Sequence, residues 1–589
     1  MLACTALVGC TNEDVANNEN ENLLVNKGNS YLSVNLSMGN PSSSRGTQGE
    51  AFDNGTDEEA AVKDINVVFL FYDAAGNYVT DGTIQYYDND ELIPTDSDDP
   101  KDLIWNKNDN GNNIERFYKP VIVLGPTKVA PAKVIAILNN NDLAKICKGE
   151  NMSKTQDLVT NITNFKTEAG FVMSNSTYVK DSKVVYAADI APEQICESAD
   201  EAIANPVDIY VERVAAKITW KFAENNLIGH VEKNMFKMNS GTATGEYMVN
   251  GAATELRVEI FGVKVNAFNE TSLLVKNINS AEYFTNWNSG SNFRSYWAVD
   301  KNYSGVIQPV ESAEDYEPWE YTGGSFGGLK YLTFEGNAQK DVNYGATEAL
   351  TFYVNENTMD EPMVAPNDKT NATTILVLGK IYVGKSANTA DETLFTYKGG
   401  YYTQDKYLDI VVSGLTDFAT GSEEEKTALT AADFTWKDAD GKYKYEKVDY
   451  QTVILQPIAV AEGKKIYKGT TTEAEDGTVT TTWAEASIAD VQNACSLETK
   501  LYLNGMCYYQ IPIKHIFDDE SENNALGEYG IVRNHSYQLT LTKLNSIGGA
   551  VINEKEELDH IPGKDKDYYI AAKLNVLAWR TVTNQDVEF

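Results

Sequence analysis

The sequence predicts a mainly β protein built from β-sandwiches, and three observations carry that expectation. Strand-forming residues dominate, with 34 Tyr against 15 Pro, and Thr, Val and Ile are frequent. Short alternating or apolar segments recur along the chain, separated by clusters of glycine, asparagine and aspartate. Helical periodicity is confined to a few short stretches, so sheet-on-sheet layers are favoured over α/β layers. At 589 residues, 42% of them hydrophobic, the chain exceeds one ordinary domain and can fill sizeable cores. No repeat of fixed period is evident.

Taken in order, the chain opens on an apolar run ending in Leu7-Val8-Gly9-Cys10. That is the residue order of a bacterial lipoprotein signal, with Cys10 as the lipid acceptor. Met1 to Gly9 lacks the basic start of such a leader and is short for its apolar part. A polar tether follows, from Thr11 to Asn22. Tyr31 to Met38 then alternates cleanly, placing Leu32, Val34, Leu36 and Met38 on one face of a strand. The loop Pro41-Ser42-Ser43-Ser44-Arg45-Gly46 comes next. Arg45 is the first arginine, and only Lys27 precedes it among basic residues, so a trypsin-like protease meets one obvious site, between Arg45 and Gly46. The order reads as anchor, spacer, strand and protease site.

Beyond it, Ile65 to Tyr72 runs into Asp73-Ala74-Ala75-Gly76-Asn77 and out through Tyr78-Val79, a strand, turn and strand. Val121–Leu124 and Val134–Leu138 read as short buried strands, the second stopped by Asn139-Asn140-Asn141-Asp142. Leu143 to Phe165 has the spacing of one or two short helices. Val207 to Trp220 reads as two strands around a small-residue step, and the domain boundary is placed there: 1–45 a leader and cleavable strand, 46–209 a first sandwich, 210–589 a second. Strands are expected at Leu256 to Val265, Leu350 to Val354, Ile375 to Val383, Leu408 to Val412, Tyr508 to Ile513 and Tyr537 to Leu541. The final segment, 571–589, alternates again at Ala572, Leu574, Val576 and Ala578, and Leu577, Trp579, Val582, Val587 and Phe589 carry apolar character to the last residue. It reads either as a closing strand of its own sheet or as a strand meant for another molecule.

A formal charge of −37 argues against nucleic acid or an anionic membrane surface as the main partner. No apolar run reaches the roughly 18 residues of a membrane span, so a membrane contact is expected through the lipid alone. There is no phosphate loop, and no His-Glu-x-x-His; His230, His515, His535 and His560 are scattered. Asp438-Ala439-Asp440-Gly441 resembles part of a calcium loop, but Trp436 stands where the first ligand belongs, so a hairpin turn is expected. Trp287, Trp297, Trp319 and Tyr321 lie in a Gly/Ser/Asn-rich region and offer rings that could stack on sugars. Cys147, Cys196, Cys495 and Cys507 are expected as buried or loosely paired thiols, a Cys495–Cys507 bridge being an option in an oxidising compartment. Nothing assembles a catalytic constellation, metal site or cofactor site; a non-enzyme is expected.

With these pieces placed, the chain resembles the Bacteroidales fimbrillins, the type V pilins, and within them the Mfa-like branch of minor-fimbria subunits. Tyr31 to Met38 resembles the family's first strand and the Ser-rich loop with Arg45 its maturation site. Val134 to Asn140 and Val211-Glu212-Arg213-Val214-Ala215-Ala216-Lys217 resemble its N-terminal domain and interdomain signature. Phe352 to Thr358 and Tyr529 to Tyr537 resemble its C-terminal domain, and Lys573 to Phe589 its closing donor segment. The resemblance implies two tandem transthyretin-like β-sandwiches. It also implies a precursor lipidated at Cys10, exported to the outer membrane, cut after Arg45 by a gingipain-type protease, and polymerised on the cell surface with anchor and tip subunits. Loss of the first strand would open an apolar groove and two unpaired edges. Its four apolar side chains are worth roughly 6–12 kcal/mol when buried, and an extended apolar C-terminus suits such a groove. Donor and groove at opposite ends of one chain make a head-to-tail contact that does not close. The competing expectation is a monomeric surface lipoprotein that binds glycans through its tryptophan-rich loops.

Overall fold

The structure, a computed structural model, describes residues 30–38, 56–88, 91–94, 98–99, 101–103, 106–109, 114–161, 165–180, 183–224, 227–277, 298, 329–336, 339–346, 348–358, 370–384, 392–513, 515, 530–561, 570–578 and 581–585. The protein is mainly β with a few short helices, as the sequence predicts. Two sandwiches follow one another along the chain, and a third core is inserted into the second.

The first body is a curled sheet closed over one core. Its central path runs through Tyr78–Thr83, Val67–Tyr72, Lys133–Leu138, Met173–Asn175, Val207–Arg213, Ser30–Met38 and Val121–Leu124. Val67–Tyr72 is buried along its whole length. Val67, Phe69 and Phe71 fill the core between the sheet's halves. Val68, Leu70 and Tyr72 form a smaller cluster on the sheet's outer face, with Leu143, Ala144 and Cys147 of the helix Asn141–Cys147. That two-sided burial explains why the strand reads as a continuous apolar run rather than an alternating one. The expected turn forms: Asp73 Oδ1 accepts from the amides of Ala75 and Asn77, both at 2.9 Å, and Gly76 takes φ +84°. The expected short helices are Asn141–Cys147 and Met152–Asp157, capped by Asn140 and Asn151.

The chain passes from the first sheet to the second across Val214, between the strands Val207–Arg213 and Ala215–Phe222. In the second body, the sheet Leu350–Asn355, Ala215–Phe222, His535–Leu544, Ile570–Ala578, Thr581–Gln585 faces a sheet centred on Leu256–Asn266, Thr374–Val383 and Met506–Pro512. Ile218, Trp220, Tyr537 and Leu539 from one side meet Val258, Ile260, Val377 and Tyr509 from the other. Gly379 leaves room for the side chains of the strands on either side of it in the same sheet: a Cβ there would lie 2.9 Å from Val258 Cγ1 and 3.0 Å from Cys507 Sγ.

Between Thr374–Val383 and Met506–Pro512 the chain builds the third core, on a sheet containing Leu394–Tyr397, Gly400–Thr403, Thr452–Gln456 and Glu498–Tyr502. Here one expectation is corrected. Leu408 to Val412 is not a strand but lies in the helix Gln404–Ser413, whose buried residues are Tyr407, Leu408, Val411 and Val412. Those positions recur at helical spacing against the core, a pattern that five residues cannot reveal by themselves. Asp438 makes the expected turn, its Oδ1 accepting from the amides of Asp440 at 2.9 Å and Lys442 at 2.8 Å. Trp436 packs in the third core and donates from Nε1 to Ala431 O.

The four described cysteines are free thiols. Cys495 ends the helix Ile488–Ala494 in the third core, while Cys507 lies in a strand of the second, so they do not face each other across a hairpin. Burial pushes the Cys495 thiol up to about 11 and the Cys507 thiol up to about 12, which keeps both protonated.

Candidate functional site

The first strand, Ser30–Met38, is an interior strand of the first sheet. On one side it runs parallel to Val207–Arg213, with Val34 opposite Val207 and Leu36 opposite Ile209. On the other it runs antiparallel to two strands in succession: Leu32 lies opposite Ile122, and Leu36 and Met38 lie opposite Tyr118 and Arg116. Leu32, Val34 and Leu36 have no exposed surface and contribute to the first core beside Val207, Ile209, Phe69 and Phe71. Ser33 is buried and donates from Oγ to Pro120 O at 3.1 Å. Tyr31 and Cys196 exchange two backbone hydrogen bonds at 2.8 Å.

Removing a strand paired on both sides uncovers two rows of backbone donors and acceptors and a floor of apolar side chains. The parallel neighbour has a topological cause: Ser30–Met38 and Val207–Arg213 are far apart in sequence, and a crossover of this length permits parallel pairing.

At the other terminus, Ile570–Ala578 pairs antiparallel with His535–Leu544, so that Leu574 lies opposite Leu539, Val576 opposite Tyr537 and Leu577 opposite Ser536. Thr581–Gln585, which contains Val582, folds back on it and forms the outermost strand. The predicted donor residues Leu574, Val576, Leu577 and Val582 therefore belong to strands of the chain's own second sheet. Cys10, Arg45, Gly46, Trp579, Val587 and Phe589 lie outside the described residues, as do Trp287, Trp297, Trp319 and Tyr321.

Between the two ends, three motifs separated by hundreds of residues meet at the junction of the bodies. Glu59, in the one-turn helix Glu58–Ala60 of the first body, accepts from Lys217 Nζ at 2.9 Å and from the Tyr353 hydroxyl at 2.6 Å. Arg213 Nε donates to Glu59 O at 2.6 Å, and its Nη1 reaches Asn534 Oδ1 at 3.3 Å. Arg533 is fully buried. It pairs with Glu356 through Nε at 3.2 Å and Nη2 at 3.0 Å, and its remaining donors reach Leu274 O, Leu273 O and Ser272 Oγ. Lys276 pairs with Glu212 at 3.0 Å, where Ser176 Oγ also donates.

Burial pushes the Glu59 carboxyl up, but the Lys217 ammonium, the Tyr353 hydroxyl and the Thr56 amide outweigh it and hold the group below its ordinary value. Nearby, burial first and Lys276 second lower His515 to about 3, so it is neutral; its Nδ1 lies 2.8 Å from the Tyr537 hydroxyl. The sequence displays these motifs but not that they meet. The available signal was charge inside otherwise apolar strands: Glu212 and Arg213, Lys217, Glu356, Arg533.

Among the described residues, no group of three or more His, Cys, Asp or Glu could hold a metal ion, and no helix is long and apolar enough to cross a membrane.

Residues 500–585 match the family described as "Major fimbrial subunit protein type IV, Fimbrillin, C-terminal". That stretch spans Met506–Pro512, His535–Leu544 and both C-terminal strands. No curated protein sequence matches the chain. Among solved structures, the chain is similar to a candidate cell adhesion protein from Bacteroides eggerthii, at 10% identity and a TM-score of 0.36, covering 95% of this chain and 98% of that one. It is also similar to the tip fimbrial protein Mfa3 from Porphyromonas gingivalis with a C-terminal truncation, at 10% identity and a TM-score of 0.31, covering 93% and 100%. Superpositions this loose carry no argument about function.

Proposed function

We propose, the chain being a fimbrillin by its C-terminal region, that it is a polymerising structural subunit of a cell-surface fimbria of the minor-fimbria type and serves adhesion. On this reading it is assembled by proteolysis-triggered donor-strand exchange. The precursor is lipidated at Cys10 and held at the outer membrane. A trypsin-like protease cuts between Arg45 and Gly46, which frees the subunit from its anchor and lets the strand carrying Leu32, Val34, Leu36 and Met38 depart. The segment 571–589 of a neighbouring subunit fills the groove. The chain divides into 1–45, 46–209 and 210–589, with the change of sheet itself at Val214 and the inserted third core in the last part.

The observation that carries this reading is the interior position of the first strand. An ordinary N-terminal extension would lie on a sheet edge. This one occupies a slot between Val207–Arg213 and the Ile114–Tyr118/Val121–Leu124 pair, with three side chains wholly buried. Its departure leaves a strand-shaped vacancy whose pockets accept alternate apolar side chains, the pattern offered by Ala572, Leu574, Val576 and Ala578. Within the donor segment, Thr581–Gln585 is the outermost strand of its own sheet and is paired on a single side, while Ile570–Ala578 lies one strand further in, between it and His535–Leu544, so detachment would start from the outermost strand.

Limited trypsin digestion of the uncleaved chain, with N-terminal sequencing and size analysis, tests this. A new terminus at Gly46 accompanied by ladders or filaments is the expected result. A product cut at Gly46 that stays monomeric at high concentration would favour the glycan-binding lipoprotein. Resistance at Arg45 would sink the maturation step.

A further inference from the structure

The third core carries a two-stranded ribbon that no part of the assembly scheme uses. Ile466–Glu473 and Val479–Glu485 pair in continuous register over seven residue pairs, Tyr467 opposite Glu485 through Glu473 opposite Val479, closed by a turn in which Gly477 takes φ +79°. Every residue of Val479–Glu485 is exposed, Trp483 at 39% and Val479 at 60%. The strand is the last in its sheet, so among the described residues its outer backbone edge is unpaired. Exposed edges are normally guarded by proline, lysine, a bulge or shortness. Val479-Thr480-Thr481-Thr482-Trp483-Ala484-Glu485 has none of these, and one charge in seven residues. Its composition is that of a strand which pairs well.

The charges along the ribbon are polarised. The tip carries Glu473, Glu475 and Asp476, all exposed; the base carries Lys464, Lys465 and Lys468 with Glu462 and Glu485, also exposed, and is basic on balance. The base lysines are already placed by local contacts, Lys464 with Asp433 at 3.0 Å, Lys465 with Glu485 at 2.9 Å and Lys468 over the Phe418 ring.

We propose that this edge pairs antiparallel with the same edge of a second copy of this chain, about a two-fold axis at Thr482. That register sets Thr482 opposite its own equivalent, Thr481 opposite Trp483, and Val479 opposite Glu485. No like charges then face each other across the seam, and each acidic tip lies beside the other copy's basic base. A parallel arrangement would set tip against tip and Glu485 against Glu485. The antiparallel contact is isologous and closes as a dimer. It is therefore distinct from the head-to-tail contact of a filament, and it would join subunits of two filaments side by side.

The test uses the uncleaved full chain, in which the first strand still fills its slot. Sedimentation of the parent should show a concentration-dependent monomer–dimer equilibrium, and Thr481→Pro, which removes a donor from the edge, should remain monomeric. The register is read separately by oxidation. Cα atoms directly opposite in an antiparallel pair lie about 4.5–5.5 Å apart, within disulfide reach, so Thr482→Cys should give covalent dimers well above the background of the native thiols. Thr480→Cys should not, because its equivalent lies about 13 Å away along the strand, four residues at ~3.3 Å each. A parent that stays monomeric up to its solubility limit overturns the proposal, as does a Thr480→Cys chain that cross-links as readily as Thr482→Cys.

Discussion

At the scale of single residues, the buried charges of the junction act as a lock rather than as a source of net stability. A buried ion pair roughly repays its own desolvation, but breaking one leaves an uncompensated charge. Glu356→Ala strands the Arg533 guanidinium at 0% exposure and should cost about 3–5 kcal/mol. Urea denaturation followed by tryptophan fluorescence measures this, and a loss below about 1 kcal/mol would mean the pair behaves as a surface one. Glu59 gives a pH signature. Its folded pKa is held below the ordinary 4.5, so its contribution is complete above 4.5 and is lost as pH falls through the lower folded value. Glu59→Gln should start with a lower Tm at neutral pH and show a flatter decline below pH 4.5 than the parent; parallel declines would remove Glu59 from the acid response.

Among the elements, the first strand has two lives on the proposed scheme, and one substitution separates them. Leu36→Ala deletes a wholly buried side chain from the first core and should cost the uncleaved chain about 2–5 kcal/mol. The cleaved polymer no longer contains that strand, so its melting should be unchanged. An equal loss before and after cleavage would show that the strand stays in place. The legibility of elements in the sequence followed their burial. Val67–Tyr72 and Tyr31 to Met38 announced themselves because their side-chain patterns are set by the sheet faces they occupy. Leu408 to Val412 misled, because a short apolar run is common to a strand and to one face of a helix, and only the third core behind it makes the helix the better burial.

For the whole molecule, deletion of Lys573 to Phe589 should abolish the ladders produced by cleavage, while the donor-less chain still accepts the tail of an intact subunit and caps a growing filament. Mixing cleaved full-length and deleted chains, with filament length read by electron microscopy, checks this: shortening in proportion to the deleted fraction is expected, and unchanged length would place the donor elsewhere. The deletion also removes the outer strands of the second sheet, so far-ultraviolet circular dichroism of the deleted chain accompanies the measurement. The formal charge of −37 opposes close approach of subunits, and assembly should quicken as salt screens it.

What the sequence determined by itself was local and periodic. It set the β character, the turns at Asp73 to Asn77 and Asp438 to Gly441, the short helices after Asn140, and the apolar alternation at both chain ends, because strand and turn preferences act over a few neighbouring residues. Tertiary structure decided everything that depends on who lies beside whom. It placed Ser30–Met38 inside a sheet beside a strand about 170 residues away in sequence, laid the C-terminal strands on their own sheet's edge, and gathered Glu59, Arg213, Lys217, Glu356 and Arg533 into one buried junction. The physical reason is that a strand's partners and a buried charge's counter-charge are chosen by long-range closure of the sheets, to which a local pattern is blind.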